Sequence, residues 1–315
     1  MAKKKNINSD STISMVETPT AGDHVVDVIV VLLCGLVAFC SVIPMWHVLM
    51  SSISDGKALL AHNGLVVLPI GKINFDGYAH IFKNAGIVSG YMNAIIYTVS
   101  ATALGFFMAV ITGYALSRQT KMKPYITAMI MFTMLFGGGL VPTFVICKSV
   151  LGLSDNYAAL IVPMLFSPFN IIVMQTFFQT TVPMELIEAA TIDGSGEYST
   201  LTRIVLPIVK PGIATIALLN ALAYWNEWFL SLLYLNKNMD IMPLQYLLMR
   251  MQRSADFLAK NSSQIGADAA LAARSLPSQS LKMSLVVFIV IPIACAYPFF
   301  QRYVVAGLTI GSVKG

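Results

Sequence analysis

Two groups of residues in this chain have the types and spacing to do chemistry. The first is Glu188-Ala189-Ala190-Thr191-Ile192-Asp193-Gly194, followed nine residues after the glycine by Ile204-Val205-Leu206-Pro207. Paired small side chains let a second protein surface approach the backbone, and Glu188 offers that surface a charge-assisted hydrogen bond. This is recognition chemistry, not bond-making chemistry. The second group is Tyr224-Trp225-Asn226-Glu227-Trp228, an aromatic, amide and carboxylate cluster in an otherwise apolar run. Aromatic rings stack on the apolar faces of sugars, and amides and carboxylates bond their hydroxyls. In a continuous helix Asn220, Tyr224 and Glu227 share one face, so Asn220, Tyr224, Trp225, Asn226 and Glu227 together could line a passage. The same residues also suit plain packing, with Tyr224 and Trp228 against neighbouring helices and Asn226 and Glu227 bonding between them.

The elements that must position these groups are apolar. Hydrophobic residues make up 57% of the chain and charged residues only 11%, and mean hydropathy is +0.74. Soluble domains carry about 25% charged residues, so the deficit points to a membrane protein. About 20 apolar residues cross the hydrocarbon core. Stretches of that length fall at about 26–50, 92–116, 124–147, 156–178, 208–235 and 284–307. They do not alternate as barrel strands would, and backbone in lipid must satisfy its own hydrogen bonds, so they are read as helices. The expected fold is all-α and polytopic, with a tail at 1–24, a membrane domain over 25–315, and outer loops at about 51–91 and 237–282. Glu227 is then the acid well inside a span, and an intramembrane carboxylate marks a functional-site candidate.

Orientation rests on short loops. Arg118-Gln119-Thr120-Lys121-Met122-Lys123 carries three cations and no acid, so it is placed inside, and the Glu188 loop with it. Both termini are then cytoplasmic. Lys3, Lys4 and Lys5 precede a long apolar run with no Ala-x-Ala-like site after it, which fits an uncleaved first span. Cys34, Cys40, Cys147 and Cys295 lie in or at the ends of apolar runs, and His24, His47, His62 and His80 are scattered. Neither set has metal-ligand spacing. No phosphate-binding Gly-x-x-x-x-Gly-Lys-[Ser/Thr] occurs, so the chain is expected to hydrolyse no nucleotide and to hold no cofactor.

The loop at about 183–207 is expected to be helix, sharp turn, helix. Pro183 suits a helix start and Glu185 favours the positive end of its dipole. Asp193-Gly194 ends the helix, with glycine free to take a left-handed conformation. A second short helix over about 196–205 returns the chain to the membrane, and Pro207 and Pro211 mark entry to the fifth span. Gly137-Gly138-Gly139 and Pro142 weaken the third span, reading as a hinge, a helix end or a close packing site. Pro292 and Pro298 are expected to kink the last.

The pattern Glu-Ala-Ala, three residues, Gly, nine residues, Ile-x-Leu-Pro resembles the cytoplasmic coupling loop of binding-protein-dependent ABC importer permeases (the ABC type I importer permease fold). Further blocks resemble the carbohydrate-uptake permeases of the maltose type, and within them the MalG/LplC-like, polysaccharide-associated branch. These are Gly137-Gly138-Gly139-Leu140-Val141-Pro142-Thr143, Phe169-Asn170-Ile171-Ile172, Trp225-Asn226-Glu227-Trp228 and Met242-Pro243-Leu244-Gln245. Leu201 stands where many relatives carry an aromatic, and Ser195 replaces a common alanine.

The resemblance implies a transport subunit of a bacterial inner membrane, with Glu188, Ala189, Ala190, Asp193, Gly194 and Pro207 in its ATPase-coupling loop. It implies a second homologous permease subunit, two nucleotide-binding subunits holding ATP and Mg²⁺, an extracytoplasmic solute-binding protein and a sugar substrate, and no nucleic acid. Two other readings stay open on the residues alone. One is a secondary transporter or channel using Glu227 as an ion-coupled site; the other is the same assembly carrying a non-sugar solute.

Overall fold

A computed structural model describes residues 21–62, 64–254, 257 and 279–312, and every regular element among them is helical. Lys3, Lys4, Lys5, Asp256, Lys260, Asp268, Arg274 and Lys314 lie outside the described residues. The chain divides into two units at His47. The first carries most of α1 (Ala21–Ser52), a 32-residue helix with Pro44 inside and large apolar side chains such as Leu33, Leu36 and Phe39 exposed along it. That surface suits lipid and does not suit water.

In the second unit, two short helices, α2 (Gly56–Ala61) and α3 (Asp76–Lys83), occupy the stretch at 51–91. They precede α4 (Ala85–Ser117), which begins seven residues before the expected 92 because Asn84 caps it, accepting from the N–H groups of Gly86 and Ile87 at 3.0 and 3.4 Å. Small residues recur along one side of α4: Gly90, Ala94, Ala101, Gly105, Ala109 and Gly113 are all buried. Such a stripe lets helices approach backbone to backbone. Into it pack α7 (Tyr157–Leu165), α8 (Pro168–Thr181) and α12 (Lys210–Trp225). A Cβ at Gly113 would stand 3.0 Å from Met174 Cβ and 3.1 Å from the Gln175 nitrogen. Asn93, buried on the same helix, ties α4 to the segments around Tyr157 and Asp240. It donates to the Asp240 carbonyl at 2.6 Å and accepts from the Tyr157 hydroxyl at 2.7 Å.

Three of the six expected spans are broken. The third divides into α5 (Lys123–Leu135) and α6 (Leu140–Val145), the latter running on as a π turn through Val150, and the two halves bend by 112°. Gly137, Gly138 and Gly139 fill the break with nothing within 4 Å of a built Cβ, and Gly139 has φ +86°. Of the three readings of these glycines a helix end fits, and none of the three packs closely against the described residues of this chain. The fourth span bends by 51° between α7 and α8, because Pro168 lacks an N–H and pushes Ser167 out of the helical region, at ψ 107°. The fifth is interrupted after α12, which ends at Trp225, and resumes as α13 (Phe229–Tyr234). Among the described residues three helices are long and apolar enough to span a membrane, and up to six spans result if each bent pair counts as one, the third pair being Glu197–Ile208 with α12. Beyond the break, residues 244–254 form α14, and α15 (Gln279–Ser312) runs as one helix through Pro292 and Pro298.

Asp155 anchors the C-terminal end of the fifth span. At φ +53°, it accepts the N–H groups of Asn236, Lys237 and Asn238 at 2.6, 2.7 and 3.1 Å on one carboxylate oxygen. Those bonds, led by Lys237, hold its carboxyl at about 2. Because that value lies below the unfolded one, the contribution is present above about pH 4 and is lost as pH falls towards 2. Asp155→Ala is expected to speed amide exchange at Asn236–Asn238 at neutral pH. Asp155→Asn, which keeps an acceptor and tolerates positive φ, should show a smaller effect. Equal exchange in both variants and wild type would refute the anchor.

Candidate functional site

The loop between the fourth and fifth spans is built from α9 (Met184–Ile192), a turn, and a helical rod made of α10 (Glu197–Ser199), a π segment at Thr200–Val205 and α11 (Leu206–Ile208). Pro183 sits just ahead of α9 with extended backbone, and Glu185 occupies the first turn. The end of α9 is fully capped. The Ser195 N–H donates to the Ala190 carbonyl at 2.9 Å, and the Gly194 N–H to the Thr191 carbonyl at 3.1 Å. This paired pattern closes helices that end on a left-handed residue, here Gly194 at φ +77°.

The cap decides which side chains face out. Glu188, Ala189, Asp193 and Gly194 are exposed, whereas Ala190 and Ile187 are buried. Ile187, Leu201 and Val205 join the core cluster formed with Tyr114, Met174 and Phe178. The aliphatic Leu201 thus seats the rod, and Tyr198 points away from it, 81% exposed. Ile192 is 86% exposed. Pro207 is exposed one turn before Lys210 opens α12. An acid, a small residue and a large apolar side chain therefore share the outer side of α9, flanked by an aromatic across the turn. The arrangement offers a neighbouring protein a surface to grip.

At the other end of α12 the second group separates into two sets. Asn220, Tyr224 and Trp225 are buried, and each is engaged. Asn220 accepts from the Asn170 amide, Tyr224 donates to the Met164 carbonyl at 3.0 Å, and the Trp225 indole donates to the Ile289 carbonyl at 3.2 Å. The expectation of one continuous helical face through Glu227 is corrected: the helix stops at Trp225. Glu227 lies past the stop, where its carboxylate accepts the Leu230 N–H at 2.8 Å and starts α13. Asn226 is exposed, and Trp228 stacks beneath the Arg253 guanidinium at 5.7 Å.

A family model described as the binding-protein-dependent transport system inner membrane component matches residues 86–310. The chain belongs to this family of transport permeases. Its relatives include Protein LplC of Bacillus subtilis (strain 168), 35% identical over 94% of this chain and 97% of the relative. The polygalacturonan/rhamnogalacturonan transport system permease protein YtcP of the same organism is 34% identical over 88% of this chain and 94% of its own. Among solved structures, a chain of a bacterial ABC transporter that imports the acidic polysaccharide alginate is 28% identical with a TM-score of 0.76, covering 91% of this chain and 99% of that one.

In this permease the loop between the fourth and fifth spans also holds an ion pair that the sequence did not announce. Glu197, first residue of the rod, accepts from the Tyr114 hydroxyl at 2.7 Å on one oxygen and from the Arg118 guanidinium at 3.0 Å on the other. The Tyr114 bond, with Arg118 adding to it against partial burial, holds the Glu197 carboxyl below its ordinary value. Tyr114 and Arg118 are one helical turn apart on the last turns of α4, but Glu197 is 79 residues from Arg118. The available signal was the four-residue spacing of tyrosine and arginine at a span end.

Proposed function

We propose that this permease carries an oligosaccharide or polysaccharide fragment inward, driven by two ATP-hydrolysing subunits docked on its Glu188–Gly194 loop. The observation that carries this reading is the outward set on α9, with Glu188, Ala189 and Asp193 exposed beside an almost fully exposed Ile192. Leaving such an apolar side chain in water wastes roughly 1.5–3 kcal/mol that a partner recovers on covering it. Ala190, turned inward, positions this surface and does not touch the partner. Pro207 does the same at the membrane entry.

In this mechanism an extracytoplasmic solute-binding protein delivers sugar to the outer loops at about 51–91 and 237–282. A second, homologous permease subunit completes the pathway. ATP and Mg²⁺ reside on the partner subunits, and their closure reaches the spans through the loop; this chain makes and breaks no covalent bond. Both termini face the cytoplasm. Asn226 and Glu227 meet the sugar at the interrupted fifth span, with Trp228 as a stacking surface, while Asn220, Tyr224 and Trp225 hold the wall behind them. The sugar assignment draws support from relatives whose names describe polysaccharide transport. The sugar biases the switch only as far as it binds one state better than the other.

The test is co-purification and ATP-driven uptake of pectic or alginate fragments, comparing native permease with Glu188→Lys. The native chain should retain an ATPase. The variant should lose at least about tenfold in uptake, as reversing a charge across an interface typically does. Uptake that persists without any ATPase and follows a proton gradient would overturn the reading.

A further inference from the structure

We infer that Glu197, held by Tyr114 and Arg118, is a positioning residue that makes the coupling loop and the second span move as one body. The inference rests on the ATP-driven reading above and adds the route by which motion leaves the loop. An outward-facing docking surface does nothing to the spans unless something stiff joins it to a helix that lines them. The turn after α9 is fixed by its own capping bonds, with open space around Gly194, so it links α9 to the rod and not to a span. The rod from Glu197 to Ile208 meets α12 at an 87° bend, so a push along the rod is not aligned with that helix either.

Glu197 adds a directional polar joint to the apolar packing of Ile187, Leu201 and Val205 against Tyr114. Its two carboxylate oxygens take two different donors, the Tyr114 hydroxyl at 2.7 Å and Arg118 Nη2 at 3.0 Å. Two bonds from one carboxylate to separate residues on α4 fix direction as well as distance. The pair is also lopsided in exposure: the Arg118 side chain is 18% exposed and that of Glu197 66%. Exposed ion pairs are worth little, but a largely buried cation stripped of its one carboxylate is costly. Arg118 Nη1 is buried with no partner of its own, which leaves the guanidinium dependent on Glu197, with the Tyr114 ring 5.9 Å from its centre. Tyr114 in turn packs edge-on against Phe178 of α8 at 5.8 Å. Displacement of the rod is thus delivered to α4, whose small-residue seam holds α7, α8 and α12.

The experiment uses the assembled transporter in vesicles and reads sugar uptake, ATP hydrolysis and thermal midpoint together. Variants are Glu197→Ala, Arg118→Ala and the exchange Glu197→Arg with Arg118→Glu. In Glu197→Ala and Arg118→Ala, uptake per assembled complex should fall about tenfold, within the range of ordinary coupling between sites, while ATP hydrolysis continues. The exchanged pair should recover a substantial part of the uptake; because exchange also repairs a merely structural pair, the deciding result is that the single variants keep the midpoint and ATP hydrolysis while uptake falls. Unchanged uptake in both single variants overturns the joint. So does a fall of uptake and hydrolysis together with the midpoint, with or without recovery in the exchanged pair, which assigns the residues to folding alone. If wild type itself shows no ATP dependence, the failure belongs to the transport reading and not to the joint, so the two are told apart.

Discussion

Gly194→Val is expected to abolish ATP-driven uptake while the chain still folds and inserts. The reason is conformational and not steric, since nothing stands within 4 Å of a Cβ built there. At φ +77° an L-residue costs roughly 1–2 kcal/mol, and a β-branched one fits this region worst. The strain falls on a turn whose two capping bonds, Ser195 to Ala190 and Gly194 to Thr191, set the angle between α9 and the rod. Relaxing φ opens both bonds and turns Glu188 and Ile192 away from their presented direction. Asparagine tolerates the left-handed region, so Gly194→Asn should keep most of the uptake. Measuring both variants separates backbone conformation from bulk: equal losses would assign the effect to bulk, and no loss in valine would show that the turn does not matter.

Gly113→Leu is expected to destabilise the second unit strongly. Its Cβ alone would press on Met174 Cβ and Cγ at 3.0 Å and on the Gln175 backbone nitrogen at 3.1 Å. A side-chain end can swing aside, but the α8 backbone cannot without parting from α4. Overpacking of this kind costs about 1–3 kcal/mol, and leucine adds three more carbons than alanine to a gap with no room for one. Gly137→Ala is the control, a glycine with no neighbours and no positive φ, expected within about 0.5 kcal/mol of wild type. Thermal unfolding of purified protein reads both. A similar midpoint for Gly113→Leu and wild type would mean that the seam is looser than described.

Much of this architecture was legible from composition and local pattern. Apolar length located the spans, and Asp193-Gly194 announced the turn because only a few residue types accept positive φ. The breaks were harder. Trp225-Asn226-Glu227-Trp228 reads as helix by hydropathy, and only the use of the Glu227 carboxylate as a cap for Leu230 reveals the stop. Pro168 carried a readable signal, since the residue before a proline avoids the helical region, yet the surrounding hydropathy masked it. The Glu197 joint was not legible at all. Its partners lie 79 and 83 residues away, and proximity across such a distance is a product of how α4 and α8 pack. Likewise the burial of Asn220 and Tyr224 depends on neighbours contributed by α8 and α7, which no window of sequence contains.

The interruption of the third span restricts where that helix can stand. α5 has 13 residues, about 20 Å at 1.5 Å each, so it ends well inside a hydrocarbon layer of about 30 Å. Beyond it, no acceptor among the described residues takes the N–H of Gly137, Gly138 or Gly139. Oil has no hydrogen bonds to give, and unfulfilled backbone at that depth is excluded from contact with acyl chains. This corner must therefore face solvent or another polypeptide, and the perimeter of the working transporter has to be drawn outside it. The apolar surface of the first helix suits lipid; the triple glycine does not.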